Sequence, residues 1–164
     1  MSNVRSPKRI ASALAVSALL SLSLAGGAYA DSATDIAPGA LTPPPPVELN
    51  VNSMNLMANK YLSSYYSSIS KASSSQVNVF GSTTAGQTVD SIGIQFVLQR
   101  WTGTTWVDAG GASDNGTNKA SHTATKTFSV TQGYYYRAKT THWINENGTY
   151  EEGTYFTSSL LVEK

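Results

Sequence analysis

Residues 91–110, "SIGIQFVLQRWTGTTWVDAG", contain the clearest strand pattern in the chain. Apolar side chains occupy every second position at the start of this stretch: Ile92, Ile94, Phe96 and Leu98. Because neighbouring side chains of a strand point to opposite faces, this row indicates a core on one side. Gly103-Thr104 then has the composition of a two-residue hairpin turn, in which glycine takes a positive φ. The stretch predicts an antiparallel hairpin with one apolar face.

The predicted turn sets the register of this hairpin and places Trp101 opposite Trp106. Further pairs follow away from the turn: Arg100 with Val107, Gln99 with Asp108, and Leu98 with Ala109. By the alternation of side chains, the two tryptophans share the face that does not carry the apolar row.

A second strand pattern lies in residues 133–143, "GYYYRAKTTHW". Alternation sends Tyr134 and Tyr136 to one face with Ala138. The other face receives Tyr135, Arg137, Lys139, Thr141 and Trp143. A buried arginine or lysine is costly without a partner, so the second set is expected to face solvent and the first set to face the core.

Short strand patterns separated by turn residues recur from about residue 64 to the end of the chain. We count "QVNVFGSTT" and "DSIGIQFVLQRW" as separate strands, and we interpret "GASDNGTN" at 111–118 as a loop. About seven strands without a helix predict an all-β fold, an antiparallel two-sheet sandwich, for residues 64–164.

The last hairpin leaves two registers open. With Asn147-Gly148 as the turn, Trp143 lies opposite Glu152 and Tyr135 opposite Leu160, which places Leu160 on the outer face. A bulge at Gly153 would instead exchange the faces of Leu160 and its neighbour.

The stretch "YYYRA", a tyrosine at the start of a late strand after a glycine turn, resembles the tyrosine corner of immunoglobulin-like sandwiches. The resemblance concerns the architecture, because the cysteine pair of the disulfide-bonded family is absent. It implies that the third strand, its hairpin partner and the last two strands form one sheet. Six side chains would then share one exposed face, which we call the candidate face: Trp101, Trp106, Tyr135, Arg137, Lys139 and Trp143.

Residues from about 61 to 162 also resemble an uncharacterised family of small secreted proteins from Gram-positive bacteria. The resemblance is carried by "VNVFGSTTA", "LQRWTGTTWVD" and "GYYYRAKTTHW", followed by "NGTYEEGTYFTSSLLV". This resemblance implies an extracellular location and a fold, and it gives no information about activity.

Residues 1–30 have the layout of a secretory signal peptide: a basic start, an apolar stretch, and "AYA" before a cleavage site after Ala30. The alternative is a membrane anchor, but the apolar run of about 17 residues is interrupted by serine and glycine. We expect a secreted protein that is released, or held at the cell surface only by binding, without stable membrane insertion. Residues 31–50 form a proline-rich spacer. Residues 51–63 are a linker or a short helix over about 53–62.

After cleavage, eight basic and ten acidic residues remain, a net charge of −2. A nucleic-acid partner would require a basic excess, so this class is not expected. The chain has no cysteine and therefore no disulfide.

The sequence shows no catalytic pattern. His122 and His142 are not in metal-ligand spacing, and no G-x-S-x-G motif is present. Glu151 and Glu152 are adjacent and would point to opposite faces of a strand, so they cannot flank one glycosidic bond. "SDNGTN" favours a turn over a calcium loop. We predict no enzyme activity, cofactor or metal.

Two main hypotheses follow. The first is a non-catalytic binding or adhesion module whose candidate face holds cell-wall or other extracellular polysaccharide, or a surface protein. The second is a secreted structural protein that self-associates through its sheet edges. A small hydrolase is the least favoured. An alternative for the tryptophan pair is that it only stabilises its hairpin, by about 0.2–1 kcal/mol.

Overall fold

The computed structural model describes residues 36–47 and 59–164 of the 164-residue chain. The predicted signal peptide and most of the predicted linker or helix lie outside these residues. The described part contains six strands and no helix: β1 (Leu62–Ser73), β2 (Gln76–Trp101), β3 (Trp106–Ser129), β4 (Tyr134–Glu146), β5 (Thr149–Phe156) and β6 (Leu160–Val162). All pairings are antiparallel. The all-β class is confirmed. No described helix is long and apolar enough to cross a membrane.

Two strands are much longer than the sequence pattern predicts. β2 has 26 residues and joins two predicted strands, while β3 has 24 and includes the predicted loop at 111–118. That loop is rich in glycine, serine and asparagine, yet Gly116 pairs with Ile92 and Asp114 with Ile94. Pairing with an apolar partner strand supplies main-chain hydrogen bonds, and this outweighs the weak strand preference of the residues themselves. The result is six strands in one hydrogen-bonded sheet, where the sequence predicts about seven in two sheets.

The sheet curls because the β2–β3 ribbon bends over itself. The register of this ribbon shifts between Thr84 and Val89. Before the bend β2 pairs with β1, and after the bend it pairs with β4 on the same edge. The two halves of β2 then face each other across one core: Val77, Val79, Ile94, Phe96, Leu98, Tyr136, Ala138 and Val162. The apolar row of residues 92–98 is buried, as predicted: Ile94, Phe96 and Leu98 belong to this core. Ile92 belongs to a second buried cluster, with Tyr61, Leu62, Tyr65, Ala85, Val89 and Ile144.

The start of β1 is attached to β5 by one carboxylate. The Glu151 side chain accepts hydrogen bonds from the backbone N–H groups of Lys60, Tyr61 and Leu62 at 2.7, 2.9 and 2.7 Å. Burial alone would raise the pKa of Glu151, but these three donors favour the charged form and hold its pKa below the usual value. Glu151 is therefore part of the fold.

The first hairpin has the predicted register near its turn. Trp101 pairs with Trp106, and Gln99 with Asp108, around a turn in which Gly103 has a φ of 102°. Farther from the turn, Leu98 pairs with Gly110, because a register shift follows Gln99. The prediction that Leu98 pairs with Ala109 was wrong by this one residue.

The last hairpin is also partly as predicted. Trp143 pairs with Glu152. Tyr135, however, pairs with Leu161, because the chain leaves the sheet between β5 and β6 and returns shifted by one position. Leu161 thus takes the register position that the sequence assigned to Leu160.

Replacing Gly153 with alanine should destabilise the protein. A Cβ at this position would overlap the Tyr65 ring, which is buried and stacked on His142 at 5.2 Å, so the ring cannot move aside easily. We expect a loss of about 1–3 kcal/mol in the free energy of unfolding, measured by urea denaturation. In the control Gly86→Ala, the new Cβ meets only a carbonyl oxygen at 3.9 Å. Equal stability of the two variants would contradict the assigned packing.

Candidate functional site

The sheet register places the candidate face on one side of β2, β3 and β4, opposite the core. Gln99 pairs with Arg137 and Trp101 with Trp106, so these side chains point the same way. Their exposure differs, however. Trp101 and Tyr135 are only 6% and 9% exposed, whereas the remaining four are half-buried: Trp106, Arg137, Lys139 and Trp143. The face is shared as expected, but one end of it is covered.

Part of the cover comes from the proline-rich segment, within which we call residues 39–47 the strap. The indole Nε1 of Trp101 donates a hydrogen bond to the carbonyl oxygen of Pro43 at 3.1 Å. The Leu41 N–H donates to the Gly133 carbonyl at 2.6 Å, and the Lys164 N–H donates to the Gly39 carbonyl at 3.2 Å. This portion of the predicted spacer thus lies against the domain instead of extending away from it.

Arg137 lies at the centre of an aromatic–arginine cluster, formed by Trp101, Trp106, Arg137 and Phe156. Its guanidinium carbon is 4.4 Å from the Trp106 ring centroid and 4.8 Å from that of Phe156. Trp101 and Trp106 are themselves 5.3 Å apart. Cation–π contacts of this kind contribute about 0.5–1 kcal/mol each at exposed sites. The cluster therefore stabilises the sheet as well as shaping its surface.

Two polar side chains fix the orientation of the arginine. The Nε of Arg137 donates to Gln99 Oε1 at 2.9 Å, and Gln99 Nε2 donates to Asp108 Oδ1 at 2.9 Å. Sequence reasoning had not assigned Phe156 to this face. The register of the last hairpin could have identified it, because a turn at Asn147-Gly148 places Phe156 opposite Lys139.

An open cleft of about 210 Å³ lies between the strap and this cluster. Its lining combines apolar, cationic and hydroxyl-bearing residues: Pro45, Pro46, Val47, Trp106, Arg137, Thr157, Ser158 and Ser159. The Thr157 hydroxyl accepts a hydrogen bond from the Ala138 N–H and donates to the Ser158 carbonyl, at 2.9 and 3.0 Å. These bonds hold the connection between β5 and β6 in place as one wall of the cleft.

The far end of the candidate face has its own aromatic pair. Trp143 and Tyr150 stack with ring centroids 6.2 Å apart, and Tyr150 is 55% exposed. The Tyr150 hydroxyl donates to Glu152 at 2.8 Å; burial and this carboxylate raise its pKa to about 12. Trp143 lies six positions after Arg137 in β4, about 20 Å along the strand. The predicted stripe is therefore two aromatic groups, with Lys139 between them.

His142 lies on the opposite, inner face and is completely buried. Its Nδ1 is 2.8 Å from the Thr83 hydroxyl, and its Nε2 is 3.0 Å from both Ser67 and Thr140 hydroxyls. Burial lowers its pKa to about 4 because desolvation disfavours the charged ring. A serine hydroxyl thus contacts a histidine, but neither group is accessible to a substrate. The hydrogen bonds around His142 therefore serve to satisfy buried polar side chains of the fold.

The remaining ionic cluster is formed where β3 bends back on itself. Asp114 accepts from Lys126 Nζ at 2.6 Å and lies 2.9 Å from His122 Nε2. The hydrogen bond from Lys126 holds the pKa of Asp114 below its usual value. Asp114 therefore belongs to a strand and an ion pair instead of the predicted turn. Residues 36–47 and 59–164 contain no group of three or more potential metal-ligand side chains.

No family model and no curated protein matches this chain. Among solved structures, it is similar to one described as "Crystal structure of protein from Archaeoglobus fulgidus", at 12% identity and a TM-score of 0.34. That alignment covers 61% of this chain and 96% of the other. A likeness at this level carries no argument about function.

The buried His142 should make the protein sensitive to acid. Its pKa is about 4 in the folded state against an ordinary value of 6.5, so the unfolded chain binds the proton more readily. Stability is full above pH 6.5 and falls as the pH drops towards 4, by about 3 kcal/mol in total. Urea denaturation at a series of pH values measures this loss.

The variant His142→Gln should flatten that pH dependence between pH 6.5 and 4, even where its own stability is lower. The other histidine supplies the control, because His122→Asn should retain the steep loss. An unchanged slope in His142→Gln would show that another group is responsible.

Proposed function

We propose that this protein is a secreted, non-catalytic binding module that holds an extracellular glycan in the cleft beside the strap. One observation carries the proposal: Trp106 and Arg137 form part of an open cleft whose opposite walls are the proline residues and the 157–159 connection. Aromatic rings supply apolar surface for the C–H faces of sugars, and hydroxyl groups supply hydrogen bonds to their edges. This combination of apolar lining with a few polar groups is typical of small-ligand sites.

The positive charge near the cleft indicates which class of glycan would bind there. Arg137 lines the cleft and Lys139 is the next residue on the same face of β4, so two cationic side chains lie along the binding path. The predicted mature chain has a net charge of −2, so these two cations are a local feature and not part of a generally basic protein. We infer that anionic polysaccharides, including those of cell walls, bind more tightly than neutral ones.

The cleft supports binding better than hydrolysis. Among the described residues that line it, none is a carboxylate, whereas glycosidases place two across the scissile bond. Glu151 accepts hydrogen bonds from three backbone N–H groups at the start of β1 and is part of the fold. The proposal therefore assigns no catalytic residue.

The same proposal includes an immunoglobulin-like relationship of the architecture and export through residues 1–30. The Tyr136 hydroxyl donates to the Thr131 carbonyl and accepts from the Thr131 N–H, both at 3.0 Å. A tyrosine that bonds back to the chain a few residues upstream is the feature of the tyrosine corner. The resemblance to secreted proteins of Gram-positive bacteria points to the same extracellular location.

The variants Trp106→Ala and Arg137→Gln should each weaken glycan binding at least tenfold. Both remove a side chain that contacts the cleft, and a tenfold loss corresponds to about 1.4 kcal/mol. Binding is measured by co-sedimentation with purified cell-wall sacculi and by tryptophan fluorescence with soluble acidic and neutral glycans.

The control is Tyr66→Ala, which removes an exposed aromatic side chain of β1 that does not line the cleft. It should bind like the unaltered protein. Thermal denaturation of all variants separates lost binding from lost folding. Absence of saturable binding to every acidic glycan, or equal binding by the cleft variants and the control, would refute a glycan site here.

The second candidate function is self-association, and the free edge of β3 favours it. Among the described residues, β3 pairs only with β2, so its other edge has no partner strand along 24 residues. Only four charged side chains lie on this strand: Asp108, Asp114, Lys119 and Lys126. An open edge with few charges is a template for pairing with another chain.

Sedimentation velocity over a hundredfold range of concentration tests this second function. Self-association through β3 predicts a sedimentation coefficient that rises with concentration, and the double variant Ser113→Lys, Thr125→Lys should suppress the rise by charge repulsion. Thr88→Lys is the control, because this exposed residue lies at the bend of β2. A concentration-independent monomer would exclude the edge as the functional surface.

A further inference from the structure

Arg100 occupies the end of the core face of β2, on the opposite side of the sheet from Trp101. It continues the row of residues 92–98 and pairs with Val107 on one side and Tyr136 on the other. The buried neighbours Leu98 and Tyr136 belong to the core, so the arginine begins where the core ends. Charged groups are costly to bury, so an arginine at the border of the core is unfavourable unless a partner offsets its charge.

In the described part of the chain, the guanidinium group of Arg100 lies over an aromatic ring and has no ionic partner. Its central carbon lies 4.8 Å from the centroid of the Tyr134 ring. Its Nε is buried and makes no hydrogen bond. Within residues 36–47 and 59–164 the ion pairs all involve Asp114, so no carboxylate neutralises this charge. A buried donor of a charged group left without an acceptor costs more than about 1–3 kcal/mol.

A cavity of about 220 Å³ opens beside this guanidinium. Its lining includes the hydroxyl-bearing residues Ser129 and Thr131 and the ring of Tyr136, with Val130 and Ala109 between them. The hydrogen bonds between the Tyr136 hydroxyl and the Thr131 backbone fix the geometry of one wall. The volume is below the range of about 300–1,000 Å³ of drug-sized sites, so the ligand must be small.

We propose that this cavity is a binding site for a small ligand that carries one carboxylate group, such as a uronic acid, with Arg100 as its anchor. A guanidinium presents parallel N–H donors that match the two oxygens of a carboxylate. Ser129 and Thr131 then supply hydroxyl groups for the neutral part of the ligand. The Asp108 carboxylate accepts a hydrogen bond from Gln99 on the outer face, so the charge presented to the cavity is the single cation of Arg100, which balances a singly charged carboxylate better than a doubly charged phosphate.

This site is distinct from the strap cleft. Trp106 and Arg137 line the cleft on the outer face, whereas Arg100 and Tyr136 line the cavity on the core side. The two sites share none of the lining residues that the structure describes. Either can therefore fail without the other, and backbone resonances report on them separately.

The test is a titration of the ¹⁵N-labelled protein with glucuronate, followed by NMR, with glucose and inorganic phosphate as comparison ligands. Glucuronate should cause saturable shifts in the amides of residues 129–131, and Arg100→Gln should weaken that binding at least tenfold. Arg100→Lys should retain part of it, because the charge remains but the paired donors are lost. Glucose should cause no saturable shift, and phosphate should bind more weakly than glucuronate.

Lys71→Gln is the control, since it removes an exposed cation of β1 that belongs to the lining of neither the cavity nor the cleft. It should bind glucuronate at residues 129–131 with unchanged affinity. Thermal denaturation adds a second measure: glucuronate should raise the Tm of the unaltered protein by more than that of Arg100→Gln. The proposal is overturned if no saturable shift occurs at residues 129–131 or if Arg100→Gln binds as tightly. Tighter binding of phosphate would overturn the choice of a carboxylate.

Discussion

The bend in the β2–β3 ribbon is the constraint on which the rest of the structure depends. It turns a strand of 26 residues back on itself, so that Val77 and Val79 pack against Ile94, Phe96 and Leu98 of the same strand. Burying this apolar surface is the dominant favourable contribution to such a fold. Once the two halves face each other, β1 and β4 occupy successive parts of one edge of β2, and the outer face of the second half becomes available for function.

Two polar side chains stabilise this arrangement through hydrogen bonds, in addition to the apolar packing. Glu151 binds three successive N–H groups at the start of β1, and His142 satisfies three hydroxyl-bearing residues inside the sheet. In a sequence with few titratable residues, both side chains could be mistaken for catalytic residues. Their partners are backbone and hydroxyl groups of the fold itself, and this is why the surface clusters are the better candidates for recognition.

The sequence predicted much of the candidate face but not its accessibility. Alternation placed Arg137, Lys139 and Trp143 on one side of β4, and the turn at Gly103 placed Trp101 opposite Trp106. Both inferences depend only on neighbours along the chain. The contact of Trp101 with Pro43 joins residues 58 positions apart, and no local pattern encodes it. The same applies to Phe156, which joins the cluster through the register of another hairpin.

By itself, the sequence determined the all-β class, the apolar row of β2, the register at Trp101 and the core position of Tyr136, because each follows from alternation and turn chemistry. Only the tertiary structure decided that residues 111–118 form strand, that part of the proline segment lies against the sheet, and that Arg100 borders a cavity without a counter-charge. These features arise from contacts between segments distant in sequence. Pairing with an apolar strand and burial across a bend outweigh the local preferences of glycine, serine and proline.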